Sequence, residues 1–149
     1  MNGYDPQMAE RVWQRIQSRT AVEDPAQQLP QHIASTMTDA AVCRLLLPRF
    51  QDPQTQLLRR VIREKTAHAH CLQGIFRSIT GTVPDVRISP PEVGATPGAL
   101  QRCIGNTLGC IARYRQQASP EDFSPVFSRL AEEETALAQI LLQLLGQIR

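Results

Sequence analysis

Apolar residues recur along this chain at alternating steps of three and four, the spacing of one face of an α-helix. The last segment is the most regular. Phe127, Leu130, Glu134, Leu137, Leu141, Leu144 and Ile148 share one stripe, which places the carboxylate of Glu134 where its neighbours bury themselves. An earlier segment has the same form: Leu58, Val61, Lys65, His68, Leu72, Ile75 and Ile79, with Lys65 and His68 at the centre. A lone buried charge is costly, and the usual remedies are a partner, a metal or neutralisation.

The punctuation between stripes predicts the elements. A short helix is expected over Gln7 to Arg19, where Met8, Val12 and Ile16 share a face with Trp13 at its edge, followed by an aperiodic linker from Thr20 to Leu29. Pro30 opens a first long helix to about Pro48, with Ile33, Met37, Ala40, Cys43 or Arg44, and Leu47 inward. Asp52-Pro53 combines a cap acceptor with a residue pre-set for a first turn and starts a second long helix to Thr80, which Gly81 stops. Thr82 to Ala95 holds Pro84, Pro90, Pro91 and Gly94 and neither helical nor strand periodicity. Thr96-Pro97 opens a third helix to about Gln117, with Leu100, Cys103 or Ile104, Thr107, Ile111 and Tyr114 inward. The fourth starts at Ser124, or one turn earlier from Pro120.

The expected fold is therefore all-α. A link of about four residues makes the first two long helices antiparallel neighbours, whereas the next connection, about fifteen residues at roughly 3.3 Å each, is long enough to cross a bundle. The second and third helices would then run the same way.

At 149 residues the chain fits one domain, residues 1–149, made of an N-terminal helix and linker (1–29) and a four-helix bundle (30–149). Lys and Arg total 16 against 14 Asp and Glu, and no stretch interleaves basic with aromatic residues, which argues against a nucleic-acid partner. No run approaches the roughly 18 to 20 apolar residues of a membrane span, and Met1 to Gln14 has no signal-peptide pattern. The expectation is a soluble, cytoplasmic protein with no membrane partner. Cys43, Cys71, Cys103 and Cys110 lack close pairing and read as reduced, buried thiols. Cys103 and Cys110 stand about 10 Å apart along one helix, too far for a mutual disulfide.

Counting equal distances from the short turns sets Thr36 beside the Lys65–His68 turn, and Thr107 opposite Glu134. One layer would then hold two hydroxyls, an ammonium, an imidazole and a carboxylate, with Lys65 paired to Glu134. Alternatively, Lys65 lays its stem along the core and carries its amine to the surface. Thiol and imidazole ligation is a third reading: His68 and Cys71 lie three apart on one face, and His32 could come near them, a set suited to zinc or copper. His70 points away from the stripe. Glu132 and Glu133 are expected in solvent.

This arrangement resembles the ferritin-like superfamily, in particular small rubrerythrin-related proteins. The resemblance rests on Tyr4-Asp5-Pro6 before Val12-Trp13-Gln14-Arg15, Asp39-Ala40-Ala41, His68 with Ile79-Thr80-Gly81, and Leu130-Ala131-Glu132-Glu133-Glu134. Family members with a working site bind a pair of irons, using a Glu from each of two helices and a Glu-x-x-His from each of the others. At the corresponding positions this chain has Thr36, Lys65-x-x-His68, Thr107 (with Asn106) and Glu134-x-x-Leu137. The resemblance thus implies a degenerate diiron site at Thr36, Lys65, His68, Thr107, Glu134 and Leu137. An ammonium in such a cavity repels iron.

The function expected on this basis is that of a non-catalytic ferritin-like protein, without an iron cofactor, acting through binding or assembly. The alternative is a repurposed zinc, copper or redox protein using His68, Glu134 and nearby thiols, with His32 and Cys71 as further ligands. Leu45, Leu46 and Leu142 flank the stripes and would serve either a homodimer or a wider core.

Overall fold

A computed structural model describes residues 6–9, 11, 25–117 and 123–148. Four long helices form a bundle: α1 (Pro25–Leu46), α2 (Gln54–Thr80), α3 (Thr96–Gln117) and α4 (Ser124–Gly146). Residues 6–9 and 11 belong to a short N-terminal helix and are exposed, Met8 included. Val12, Trp13, Ile16, residues 20–24 and the alternative start at Pro120 lie outside the described residues.

The first long helix begins at Pro25, five residues before the expected Pro30. Pro30 lacks the N–H for one helical bond, but Leu29, Ile33 and His32 are buried, and Gln28 Oε1 accepts from Gln117 Nε2 at 3.1 Å. Burial on both sides of the proline outweighs the missing bond. Residues 25–29 are thus helix rather than linker. The far end tightens into a 3-10 turn, Leu47–Arg49, around Pro48. Here Cys43 faces inward and Arg44 outward, while Leu46 is buried and Leu45 exposed.

Asp52 does not cap α2. Pro53 occupies the cap position, and no side chain bonds the first turn, which opens instead through Thr55 N–H to Gln51 O at 3.1 Å. The stop is as expected: Gly81 takes φ 75°, and its N–H donates to Arg77 O at 2.8 Å.

Two apolar clusters fill the bundle. The upper one contains Leu46, Leu58, Val61, Leu100, Leu137 and Leu144, and the lower one Leu29, Ile33, Leu72, Ile75, Tyr114 and Phe127. Residue numbers rise from the lower to the upper cluster in α1 and α4 and fall in α2 and α3, so α2 and α3 run parallel. Contacts are densest between α1 and α2 and between α3 and α4, with α1 also touching α3 and α2 touching α4.

Residues 81–95 must therefore return along the bundle. Val86 packs on the lower cluster and Val93 on the upper. At the top, Arg49 Nη1 donates to Gly94 O at 2.8 Å and to Thr96 Oγ1 at 3.1 Å, while Arg102 Nη2 donates to Val93 O at 2.8 Å. The Arg49 bonds tie the start of α3 to the α1–α2 turn, and the Arg102 bond ties α3 to the connection that precedes it.

Candidate functional site

Between the two apolar clusters lies a level of buried charge. Lys65 is wholly buried, and its ammonium is surrounded by three oxygens: Glu134 Oε2 at 2.7 Å, Thr107 Oγ1 at 2.8 Å and Asp39 Oδ2 at 3.3 Å. Asp39 Oδ2 and Glu134 Oε2 face this ammonium alone. Thr107 passes the bond on to Cys103 O at 2.7 Å, and Asn106 Nδ2 donates to Asp39 Oδ1 at 3.0 Å. Lys65 thus stays in the core, and its amine does not reach the surface.

His68, one helical turn along α2, extends the network. Its Nδ1 lies 3.1 Å from Glu134 Oε1 and its Nε2 2.7 Å from Glu133 Oε2. Carboxylate oxygens only accept, so the doubly protonated imidazolium is the form that satisfies both contacts. Glu133, expected in solvent, is instead half-buried. It also meets Arg129 at 3.5 Å, giving the network an edge at the surface.

The electrostatics follow from this packing. Burial disfavours every charged form here. For Lys65 the cost is outweighed by the charges of Glu134 and Asp39, and its pKa is raised. Burial likewise opposes the His68 cation, but the hydrogen bonds to Glu134 and Glu133 raise it. Glu134 resists burial through His68 and Lys65 and falls below the usual carboxylate value. Asp39 goes the other way: burial raises it further than Lys65 and Asn106 can lower it. Glu134 thus favours the charged forms of both Lys65 and His68, while burial pushes Asp39 towards its neutral form.

Lys65, His68, Thr107 and Glu134 meet as the turn counting expects, but Thr36 does not join them. Asp39 supplies the α1 side chain. The 3-10 turn accounts for the offset. Lys65 stands about 16 Å below the start of α2 at 1.5 Å per residue, while Asp39 stands about 10 Å below the end of α1, and the turn adds about 6 Å at 2.0 Å per residue. Leu137 belongs to the upper apolar cluster.

Thr36 sits instead with His32 and Tyr114. The His32 and Tyr114 rings meet edge to face at a centroid distance of 5.3 Å, and the Thr36 hydroxyl lies beside that of Tyr114. Neither hydroxyl closes a well-formed hydrogen bond; nor does His32 Nε2 or Gln117 Oε1. Burial, aided by Arg113, lowers His32 to about 4, and burial raises Tyr114.

The ligand set His32, His68 and Cys71 does not converge. His32 is held against Tyr114, His68 between two glutamates, and Cys71 lies 3.9 Å from Arg129 Nη2. Among the described residues, no three His, Cys, Asp or Glu side chains are grouped to hold a metal ion. The donor set around Lys65 does not fit a pair of divalent irons, because a cation occupies its centre. His70 is exposed; it lines a surface groove of about 230 Å³ between α1 and α2 that shares no residue with the charged level.

Asp39, Asn106 and Glu133 are the members that turn counting misses. One signal for a demanding site is in the composition. The chain has 15 arginines and a single lysine, and that lysine is the buried one. No described helix is long and apolar enough to cross a membrane. Comparison with known protein families, with curated proteins and with solved structures returns no match.

Proposed function

We propose that this protein is a ferritin-like scaffold of the rubrerythrin-related kind in which an internal ion network stands where relatives hold a diiron centre, and that it acts through binding or assembly rather than metal redox chemistry. The observation that carries this reading is the Lys65 ammonium among Asp39, Thr107 and Glu134 at mid-bundle. The paired helices and the long connection suit that scaffold. The donor set suits a fixed internal cation: one ammonium meets the carboxylates that would otherwise attract a metal, and Leu137 supplies an alkyl chain where an imidazole would be needed.

Elemental mass spectrometry tests this on protein purified without a metal-affinity tag, before and after anaerobic incubation with ferrous iron or zinc. The expected result is no stoichiometric metal in the wild type. The double variant Lys65→Glu/Leu137→His restores a Glu-x-x-His to both α2 and α4 and is expected to retain iron. Stoichiometric iron in the wild type overturns the reading.

A further inference from the structure

The sole lysine of the chain faces two carboxyl groups in a water-excluding core, and the three residues differ in role by geometry. Lys65 Nζ lies 3.3 Å from Asp39 Oδ2, one bond short of the Asp39 carboxyl carbon. On its other side, 2.7 Å away, is Glu134 Oε2, placed to take its proton. The second Asp39 oxygen, Oδ1, accepts a hydrogen bond from Asn106 at 3.0 Å, on the atom where negative charge collects if that carbon is attacked. Nucleophile, proton acceptor, electrophile and oxyanion donor are therefore in contact, one from each of the four helices, whose packing fixes their separations.

We propose that Lys65 and Asp39 condense to an intramolecular amide, with Glu134 carrying the proton, so that α1 and α2 become covalently joined at mid-bundle. Glu134 takes a proton from the ammonium, leaving an amine lone pair. That pair attacks Cγ of the neutral Asp39 carboxyl: the C–N bond forms, and the C=O electron pair moves onto Oδ1 under the Asn106 donor. Glu134 returns the proton to Oδ2, which leaves as water as the carbonyl re-forms, and the proton released from nitrogen ends on Glu134. An ammonium, a carboxylate and a carboxylic acid become an amide, a carboxylic acid and one water, with charge conserved and no oxidant or reductant required.

Three further observations favour the step. Burial raises Asp39, which shifts its carboxyl towards the neutral, electrophilic form. An arginine cannot give up its proton in a protein, so a lysine among 15 arginines fits a position that needs an amine. The product also removes a buried charge with no access to water and, like the ammonium it replaces, leaves no free carboxylate pair for a metal.

Intact-mass spectrometry of the whole chain tests the proposal. The wild type is expected to be lighter than its sequence by one water, with tryptic digestion yielding a branched peptide in which 20–44 is joined to 64–77 through an uncleaved Lys65. Lys65→Arg, Asp39→Ala and Glu134→Gln are each expected to restore the full mass. Because Lys65 is the only lysine, an amine-reactive label applied under denaturing conditions should mark the wild type at its N-terminus alone. Full mass and a labelled Lys65 in the wild type, persisting on long incubation, overturn the proposal. So does an equal loss of water in Lys65→Arg. Both wild-type readouts hold even if a variant fails to fold, and neither depends on metal content.

Discussion

At the level of Lys65, the buried groups face partners: Glu134 and the Asp39 carboxyl meet the ammonium, and His68 lies between Glu134 and Glu133. One to three turns away, between α1 and α3, His32 Nε2, Thr36 Oγ1, the Tyr114 hydroxyl and Gln117 Oε1 have no well-formed partner, although they too are buried. The difference lies in charge. A buried ion without a partner costs several kcal/mol, so the charged level exists only as a complete set. A neutral hydroxyl or imidazole left unpaired costs roughly 1–3 kcal/mol, which a well-packed bundle can absorb. The two levels should therefore respond to substitution in opposite ways.

The largest effect is expected at the charged level. Lys65→Met removes both the ammonium between two carboxyl groups and the amide proposed to form from it, and should cost at least about 3–5 kcal/mol in chemical denaturation. The double variant Lys65→Met/Glu134→Leu should cost clearly less than the two single changes together. Simple additivity would show that the two side chains do not act as a unit.

A pH series separates the levels by sign. His32 is lowered to about 4, so it folds neutral while the unfolded chain takes up a proton below its ordinary 6.5. Its contribution is fully present above 6.5 and is lost as the pH falls towards 4, up to about 3 kcal/mol at 1.36 kcal/mol per unit. His68 is raised, so its contribution is present below 6.5 and is lost as the pH rises through the folded value. Glu134, being lowered, contributes above its ordinary value and loses that contribution on the acid side. In urea midpoints across pH, His32→Phe should flatten the acid limb and His68→Gln the alkaline limb. An unchanged acid limb in His32→Phe would place the acid sensitivity at the charged level instead.

Two smaller changes sharpen the contrast. Glu133 is 39% exposed, so Glu133→Gln should cost no more than about 1 kcal/mol while lowering the His68 titration midpoint in an NMR series. Thr36→Val removes a buried hydroxyl that has no good partner, and should be neutral or stabilising by up to about 1 kcal/mol in the same denaturation assay. A loss of more than that would mean that the Thr36 hydroxyl is satisfied after all.

Much of this was legible in the chain. The stripes through Leu58, Val61, Leu72 and Ile75 and through Phe127, Leu130, Leu137, Leu141 and Leu144 are buried as their spacing requires, and they carry Lys65, His68 and Glu134 inward with them. Local signals near the ends were less reliable. Pro30 suggests a helix start, but burial of Leu29 extends α1 to Pro25, and Asp52 has the chemistry of a cap without acting as one. Asp39 sits beside Ala40 at the edge of a weakly amphipathic helix. Its inward direction follows from the level of Lys65 across the bundle, which depends on the 3-10 turn at Leu47–Arg49. Glu133 is similar: its neighbours in sequence give it a solvent position, and only His68 on α2 draws it in.

By itself, then, the sequence determined the helices, their inward faces and the placing of Lys65, His68 and Glu134 on the inward stripes, because helical periodicity is a local property that 3.6 residues per turn imposes on any stripe. The tertiary structure alone decided which charges meet. The height of one side chain against another is a sum of helix rises and turn lengths across separate segments, and a shift of three residues replaces the hydroxyl of Thr36 with the carboxyl of Asp39 beside Lys65.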